Sequence, residues 1–592
     1  MIKARIQAQN KSANLQSYDD TYPYFTWEDI EKEFSWYGPD HSTDHGKDQG
    51  SNHGSDRMNI IAESIDRWSA DAEQCAHNAL IFSKGGKVQT YSYQQLKIKS
   101  CQWAGLLKKY GFKTGDRLII LLPPCPEIFF AMSACARMGV IFCPVFSSSS
   151  FYELEIRLES TSPRGILTLP DLVEKISYEF AGQIQHIFLT QGPAPGLFPN
   201  EIVIDGMPEQ MPSEFDPEML PGDAPLYLIY TSGSTRPPKG VIHTHREMTG
   251  MLASARWVLD VQPNAVLWTD ADPAWVTGTV YGAFAPWLCG VTSFVQGDPF
   301  TAANWYWTLE KFKVSIWYTT PKIIRDLTEA GDDLPSRYDL SALRHIASVG
   351  APLIPELLYW AGKHLKSFPH DTWWMTETGI ICIANLLCND IKPGSIGKPL
   401  PGIKAAILDE NGKSLPPLSL GELAIKCPWP GLTSGLWQDN DRFQRYFTDD
   451  QWFLTGDIAL EDEEGYFYHQ GRNDDLLKAG GDKVIGPFEI EQVLCIHPSV
   501  AEAAVISKGS EPGKGISYLK AFITLKKGYI QSMRLNYEIK AFLKGNLAPD
   551  IVIREIIFLD KLPKTRSGKL LRRVLRAREL GIPGGESLNM QD

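Results

Sequence analysis

The chain has 592 residues, a formal net charge of −12 and 43% hydrophobic residues. This length exceeds what one hydrophobic core usually serves, so two or more domains are expected. The acidic balance argues against a nucleic-acid or membrane-surface partner, and any phosphate site must be a local cationic patch. Ten cysteines without a Cys-x-x-Cys pair are typical of reduced thiols and predict a cytoplasmic protein.

Residues 1–58 read as an N-terminal extension, in which polar sequence follows Lys3 and Arg5 and no signal peptide is predicted. Within it, residues 38–57 consist of polar residues, glycine and proline, and they predict a disordered loop. The loop contains three histidines that would suit a stray metal ion, although a solvated loop is the favoured interpretation: His41, His45 and His53.

Residues 59–472 alternate short β-rich apolar runs with helical patterns, which predicts a large α/β domain with mostly parallel sheets. The most apolar region, 118–146, is broken by prolines and charges, so it predicts strand, helix and strand rather than a membrane span. Ligands in such folds collect beyond the carboxyl ends of the strands. Residues 473–592 change pattern and predict a small α+β domain, with helices at 488–496 and 535–547 and strands at 500–507, 519–525 and 551–559.

A short loop rich in hydroxyls follows the predicted buried strand at 224–230. Its hydroxyl groups, backbone N–H groups and lysine are the donors that wrap a polyphosphate, with an ordinary surface turn as the alternative. The loop is not a Walker A motif, because its spacing does not end in Gly-Lys-Ser/Thr. The predicted phosphate contacts are Thr231, Ser232, Gly233, Ser234, Thr235 and Lys239.

Four further segments accompany this loop in chain order: Asp371–Gly379, Tyr446-Phe447 with Thr455–Asp457, Gly471–Asp475 and Pro563–Lys569. Together the five resemble the core motifs of the adenylate-forming enzymes, which include acyl-CoA synthetases, carrier-protein adenylation domains and luciferases. The segments Phe25–Phe34 and Asn59–Arg67 are similar to the acetyl-CoA synthetase branch.

The resemblance implies that a carboxylate and ATP form an acyl-adenylate and pyrophosphate, after which coenzyme A attacks to give a thioester. The implied ligands are ATP, Mg²⁺, coenzyme A and a small carboxylate, and the oligomeric state is left open. Lys569 would supply the catalytic cation, Thr376 would touch the α-phosphate and Glu377 would hold Mg²⁺. The alternatives are a basic surface segment at Lys569 and a helix N-cap at Thr376.

Further nucleotide contacts follow from the same resemblance, with Asp457 binding the ribose hydroxyls unless it is only a turn residue. Asp474 would be the hinge about which a mobile C-terminal domain rotates. The remaining implied nucleotide-binding residues are Gly350, Ala351, Pro352, Asp371, Thr372, Trp373, Arg472 and Lys483.

An indole at position 374 indicates the substrate, because it would fill the space of a longer alkyl chain. The resemblance implies acetate or propionate, in a pocket whose other walls are Val276, Thr277 and Val349. The alternative is that Trp374 belongs to the hydrophobic core.

Three departures from the family pattern keep other functions open: Arg236 for a glycine, Ala351 for a glutamate, and the serines at 147–150 for glycines that let coenzyme A approach. The leading hypothesis is an AMP-forming acid–CoA ligase for a short acid. The alternatives are a ligase that loads a carrier protein, favoured by the serines, and a degenerate nucleotide-binding protein, favoured by Arg236.

Overall fold

The computed structural model describes residues 5–8, 12–37, 57–231, 238–475, 477–478, 484–508, 518–547, 551–564 and 570–579. Several predicted site residues lie outside these ranges: Ser232, Gly233, Ser234, Thr235, Lys483 and Lys569. So do Arg236 and residues 38–56 of the predicted N-terminal loop. Arg57 instead begins a short strand, β1 (Arg57–Met58), which pairs antiparallel with β9 (Leu220–Pro221), so the predicted loop ends one residue early.

The N-terminal residues 12–37 pack on the large domain rather than forming a unit of their own. Ile30 and Phe34 belong to its hydrophobic core, and the Tyr18 hydroxyl donates to the Pro399 carbonyl at 2.9 Å. The two short helices of this segment are α1 (Tyr18–Thr21) and α2 (Glu28–Glu31). The segment therefore covers apolar surface that the large domain would otherwise expose to water.

Two large sheets form the centre of the molecule, and their inner strand pairs are parallel, which confirms the predicted α/β class. The first sheet has eight strands in the spatial order β21 (Gly435–Leu436), β11 (Lys239–Thr244), β10 (Pro225–Thr231), β5 (Ile141–Phe146), β4 (Arg117–Leu122), β6 (Gly165–Thr168), β7 (His186–Leu189) and β8 (Glu201–Val203). The second has nine in the order β18 (Lys398–Pro399), β17 (Ile383–Ala384), β16 (His370–Trp373), β15 (His345–Ser348), β14 (Ile316–Thr319), β12 (Val266–Thr269), β13 (Thr292–Gln296), β2 (Asn78–Lys84) and β3 (Lys87–Ser92).

Helices cover both sheets and begin where the sequence supplies caps. Ser150, the last of the serine run, accepts from the Glu153 backbone N–H while the Glu153 carboxylate accepts from the Ser150 N–H. The helices of the large domain are α3 (Arg67–Ala70), α4 (Tyr93–Lys109), α5 (Pro126–Met138), α6 (Phe151–Thr161), α7 (Tyr178–Ala181), α8 (Met248–Trp257), α9 (Val276–Thr279), α10 (Ala285–Leu288), α11 (Ala302–Lys311), α12 (Pro321–Glu329), α13 (Pro355–His364) and α14 (Asn440–Gln444). Among the described residues, no helix has the length and apolar character that crossing a lipid bilayer requires.

The end of the large domain differs from the expected alternation of strands and helices. Residues 405–472 build a four-stranded antiparallel sheet of β19 (Ala405–Leu408), β20 (Gly421–Lys426), β22 (Trp452–Glu461) and β23 (Phe467–Arg472). Antiparallel neighbours need only a tight turn, whereas parallel ones need a crossover. The tight connection between β22 and β23 places Asp457 directly opposite Arg472 in the sheet.

The C-terminal domain follows the predicted order of elements. Its main sheet contains β26 (Val500–Lys508), β27 (Tyr518–Leu525) and β28 (Ile553–Phe558), packed with α15 (Pro487–Ile496) and α16 (Met533–Asn546) around a separate core. A small ladder of β24 (Leu477–Lys478) and β25 (Val484–Ile485) precedes it, and α17 (Arg572–Glu579) follows. These elements confirm a separate α+β domain at the C-terminus.

Candidate active site

Strands from both large sheets end at the region that carries the predicted site residues. In the first sheet, β10 ends at Thr231 and β11 resumes at Lys239. In the second, the parallel neighbours β15 and β16 are followed by Val349 and Trp374. Loops at the carboxyl ends of parallel strands emerge on one side of a sheet, and this is where ligands bind in such folds.

Lys239, at the start of β11, and Glu377, in the Asp371–Gly379 segment, form an ion pair. This pair joins the strand that follows the predicted phosphate loop to that segment. The Lys239 ammonium group also donates a hydrogen bond to the Tyr446 hydroxyl and lies 4.6 Å from the centre of that ring. Burial alone would raise the pKa of Glu377, but the charge of Lys239 outweighs burial and holds this pKa below its ordinary value. Glu377 is therefore a buried carboxylate that carries its negative charge.

A network of hydrogen bonds centred on Asp457 joins the Asp371–Gly379 segment to the four-stranded antiparallel sheet. Trp373 Nε1 donates to Asp457 Oδ2 at 2.8 Å, and Arg472 Nη1 donates to Asp457 Oδ1 at 2.7 Å. His469 Nε2 lies 3.4 Å from Asp457 Oδ2. Asp457 is 7% exposed, so it is a carboxylate oriented from three sides and not merely a turn residue. The indole of Trp373 likewise orients Asp457 instead of only filling the core.

Asp371 holds the turn that contains Gly350, Ala351 and Pro352. Its Oδ2 atom accepts from the Leu353 backbone N–H at 3.1 Å, and Oδ1 accepts from the Thr372 N–H at 3.2 Å. Gly350 has a φ of 91°, a left-handed conformation that favours glycine. Burial raises the pKa of Asp371 to about 7, although these hydrogen bonds oppose the rise.

We expect the substitution Asp371→Asn to change the pH dependence of stability. The pKa of Asp371 is raised to about 7 on folding, so its contribution to stability falls as pH rises from about 4, its unfolded pKa, to about 7. Across that window the wild type should lose about 4 kcal/mol relative to the asparagine variant, which does not titrate. Tm measured at pH 5, 6, 7 and 8 for both proteins tests this, and a Tm difference that stays constant with pH would contradict it.

Trp374 lies beside the buried core and is tied to it by a chain of hydrogen bonds. Its Nε1 atom donates to the Tyr318 hydroxyl at 3.0 Å, which lies 2.8 Å from Thr372 Oγ1. The Trp374 ring also meets the Tyr281 ring edge-on, with 5.1 Å between centroids. Tyr281 and Thr277 are four residues apart in one helical stretch, so the predicted pocket positions share a neighbourhood. Val276 and Val349 are also buried.

Several buried hydroxyl groups have no hydrogen-bond partner within the described part of the chain, and two of them, Thr231 Oγ1 and Thr277 Oγ1, belong to residues of the predicted site. Buried polar atoms are normally paired, so both fit a site that a polar ligand completes.

No group of three or more His, Cys, Asp or Glu residues in the described ranges is arranged to hold a metal ion. A single carboxylate such as that of Glu377 would suffice for Mg²⁺, which commonly takes one or two carboxylates and completes its shell with phosphate oxygens and water.

The predicted hinge residue Asp474 lies in a 3₁₀ turn, Asn473–Asp475, between the two domains. Arg572 clamps this turn to the C-terminal domain through Asp475 at 3.1 Å and Glu491 at 2.6 Å. The sequence offered no signal for this clamp, nor for His469 and Tyr318, because their roles depend on partners distant along the chain.

The serines that replace family glycines lie before α6. Ser147 is half-buried, Ser148 is exposed and Ser149 is buried. Lys175 Nζ donates to the Ser147 carbonyl at 2.8 Å and to the Ser149 carbonyl at 3.0 Å, which braces this turn.

Comparison with known families defines the class of protein that this fold and site represent. A family model described as AMP-binding enzyme matches residues 67–437, and one described as AMP-binding enzyme C-terminal domain matches residues 489–569. The chain belongs to the AMP-binding enzyme family, the adenylate-forming group that its motifs resemble.

Individual proteins of this family show how far the similarity extends along the chain. An acetyl-coenzyme A synthetase of Bacillus subtilis is 42% identical over 582 residues, covering 98% of both chains. A solved acyl-CoA synthetase of Brucella canis has a TM-score of 0.72 and 27% identity, covering 95% of this chain and 99% of that one. A solved anthranilate CoA ligase in complex with anthranoyl-AMP has a TM-score of 0.80 and 25% identity, covering 88% of this chain and 98% of that one.

Proposed function

We propose that the protein is an AMP-forming acid–CoA ligase that activates a short-chain carboxylate, with acetate first and propionate second. The carboxylate attacks the α-phosphate of ATP, which releases pyrophosphate and forms an acyl-adenylate. The thiol of coenzyme A then attacks the acyl carbon, which releases AMP and forms the thioester. The observation that carries this proposal is the 42% identity to an acetyl-coenzyme A synthetase over 98% of the chain.

The geometry supports a division of labour within the site. Lys239, with the hydroxyl of Thr231 and the neighbouring loop, would bind the β- and γ-phosphates, since it is a cation at the end of the loop strand. Asp457 would bind the ribose hydroxyls, and Glu377 would hold Mg²⁺, which neutralises phosphate charge when bound. Lys569 would bridge the carboxylate and the α-phosphate, where two anions must meet.

The acid pocket would be closed by Trp374, with Val276, Thr277 and Val349 as further walls. The Trp374 indole is held by the hydrogen bond from its Nε1 atom to Tyr318 and by its edge-on contact with Tyr281. A rigid wall of this kind excludes longer acids by steric clash, which supports acetate and propionate over longer acids.

Two assays test separately whether the protein forms an acyl-adenylate and whether coenzyme A is the acceptor of the acyl group. We expect acetate-dependent ATP–pyrophosphate exchange, and AMP release that requires coenzyme A. Exchange without CoA-dependent AMP release would favour a carrier protein as acceptor, an alternative that the serines at 147–150 leave open. Absence of exchange with every acid from C1 to C8 would contradict the proposal and favour a protein that only binds nucleotide.

We also propose that the protein resides in the cytoplasm. All ten cysteines are free, and Cys135 and Cys143 are buried core residues. Reduced, unpaired thiols are typical of that compartment. Fractionation of cells that express the full chain checks the location.

A further inference from the structure

An ion-pair cluster joins the two domains away from the hinge. Arg325 of α12, in the large domain, donates through Nη1 to Glu502 Oε1 of β26, in the C-terminal domain, at 2.6 Å. The Lys564 ammonium group donates to the same carboxylate oxygen. The three side chains are only 21–23% exposed, so water screens their attraction less than at an open surface.

The large-domain end of this cluster leads to the active site. Helix α12 begins at Pro321, immediately after β14, and Arg325 lies about one helical turn into it. Strand β14 is the parallel neighbour of β15, with Thr319 opposite Ser348. Arg325 is therefore fixed to the same sheet edge from which Val349 and the Gly350 turn emerge.

The other end leads to the segment that carries Lys569. Lys564 forms an isolated antiparallel bridge with Leu570, so the two described residues that flank positions 565–569 meet at one point of the domain. That point is held by Glu502 through Lys564. The Glu502 carboxylate thus connects Lys564, which precedes the segment with Lys569, to helix α12, which starts at the edge of the sheet that carries the candidate active site.

We propose that Arg325, Glu502 and Lys564 form a latch that holds the C-terminal domain in the orientation used for adenylate formation. The latch holds Lys564, five residues before Lys569, against the large domain, and it must open before the domain rotates for thioester formation. Its members are positioning residues, since none needs to touch substrate. This inference rests on the proposed two-step function.

Glu502 lies between two cations, and this charge arrangement stabilises its contacts with Arg325 and Lys564. Burial alone would raise the pKa of Glu502, but the charges of Lys564 and Arg325 outweigh it and keep the pKa low. Loss of Arg325 leaves Glu502 paired only within its own domain, so this ionic link between the domains is lost while the C-terminal domain keeps the Glu502–Lys564 pair.

The test compares Arg325→Gln with Lys322→Gln. Lys322 lies on the same helix and pairs with Asp326 at 2.5 Å within that helix, so the control removes equal charge without touching the latch. We expect Arg325→Gln to lower kcat of acetate-dependent ATP–pyrophosphate exchange roughly tenfold. Thioester formation from supplied acetyl-adenylate and coenzyme A should stay within about twofold of wild type, or rise, because the latch is already open. Arg325→Lys should recover most of the exchange.

A parallel loss of both half-reactions in Arg325→Gln, or unchanged exchange, would overturn the latch. A wild type that shows no exchange would count instead against the proposed function. Small-angle X-ray scattering of the substrate-free proteins tests the domain arrangement independently of catalysis. The Arg325→Gln variant should have a larger radius of gyration than the Lys322→Gln variant. Identical scattering curves for these two variants would also overturn the latch.

Discussion

Replacing Lys569 with alanine is expected to lower acetate-dependent ATP–pyrophosphate exchange by about 100- to 1000-fold. The carboxylate and the α-phosphate are both anionic, and removing one preorganised donor from such a transition state typically costs about 3–4 kcal/mol. The structure describes both sides of this segment, Lys564 and Leu570, which are bridged to each other on the C-terminal domain.

Two controls separate this chemical role from loss of structure. Lys561→Ala removes an exposed cation just before the same segment and should retain exchange. The Lys569→Ala variant should still form thioester from supplied acetyl-adenylate, because activation has then been bypassed. Full exchange activity in Lys569→Ala would refute the assigned mechanism.

Replacing Trp374 with glycine is expected to raise kcat/KM for butyrate relative to acetate by about 10- to 200-fold, the range by which a pocket discriminates a methylene group. The indole is anchored by Tyr318 and packed edge-on against Tyr281, so its removal opens a defined volume. Initial rates of exchange over acids from C2 to C8 measure the change.

The same substitution should also lower Tm, because a large, partly buried side chain is lost, at a cost below the about 3–5 kcal/mol that is typical of a fully buried Trp. Trp374→Phe provides the matched control, since it keeps a ring against Tyr281 and should keep the preference for acetate. If Trp374→Gly remains folded and its selectivity is unchanged, the side chain does not line the pocket.

Local patterns were sufficient to predict the C-terminal domain and the central strands. The runs at 117–122 and 345–349 are short, apolar and bounded by polar residues, and both became buried strands of the large sheets. The amphipathic run at 535–547 corresponds to α16, with Leu535, Ile539 and Leu543 buried on one face.

Other features could not be predicted, because they depend on partners far apart in the chain. Nothing local pairs Lys239 with Glu377 or Trp373 with Asp457, although each of these residues was singled out. Residues 405–472 were assigned to the same α/β pattern as the rest, yet four of their strands (β19, β20, β22 and β23) form an antiparallel sheet of their own, and only β21 joins the first large sheet. The packing of Phe34 against the large domain was also hidden, because a polar loop separates it in sequence from that core.

The Lys239–Glu377 contact limits what can enter the site. These opposite charges already satisfy each other, and Glu377 is 3% exposed. A ligand that brings only negative charge would draw the ammonium group away and strand a carboxylate out of reach of water, at considerable cost. If Glu377 holds Mg²⁺ and Lys239 binds phosphate, as proposed, a nucleotide that arrives with its own divalent cation would replace one ion pair by two and leave neither side chain uncompensated. We therefore expect the protein to bind the magnesium complex of the nucleotide more tightly than the metal-free nucleotide.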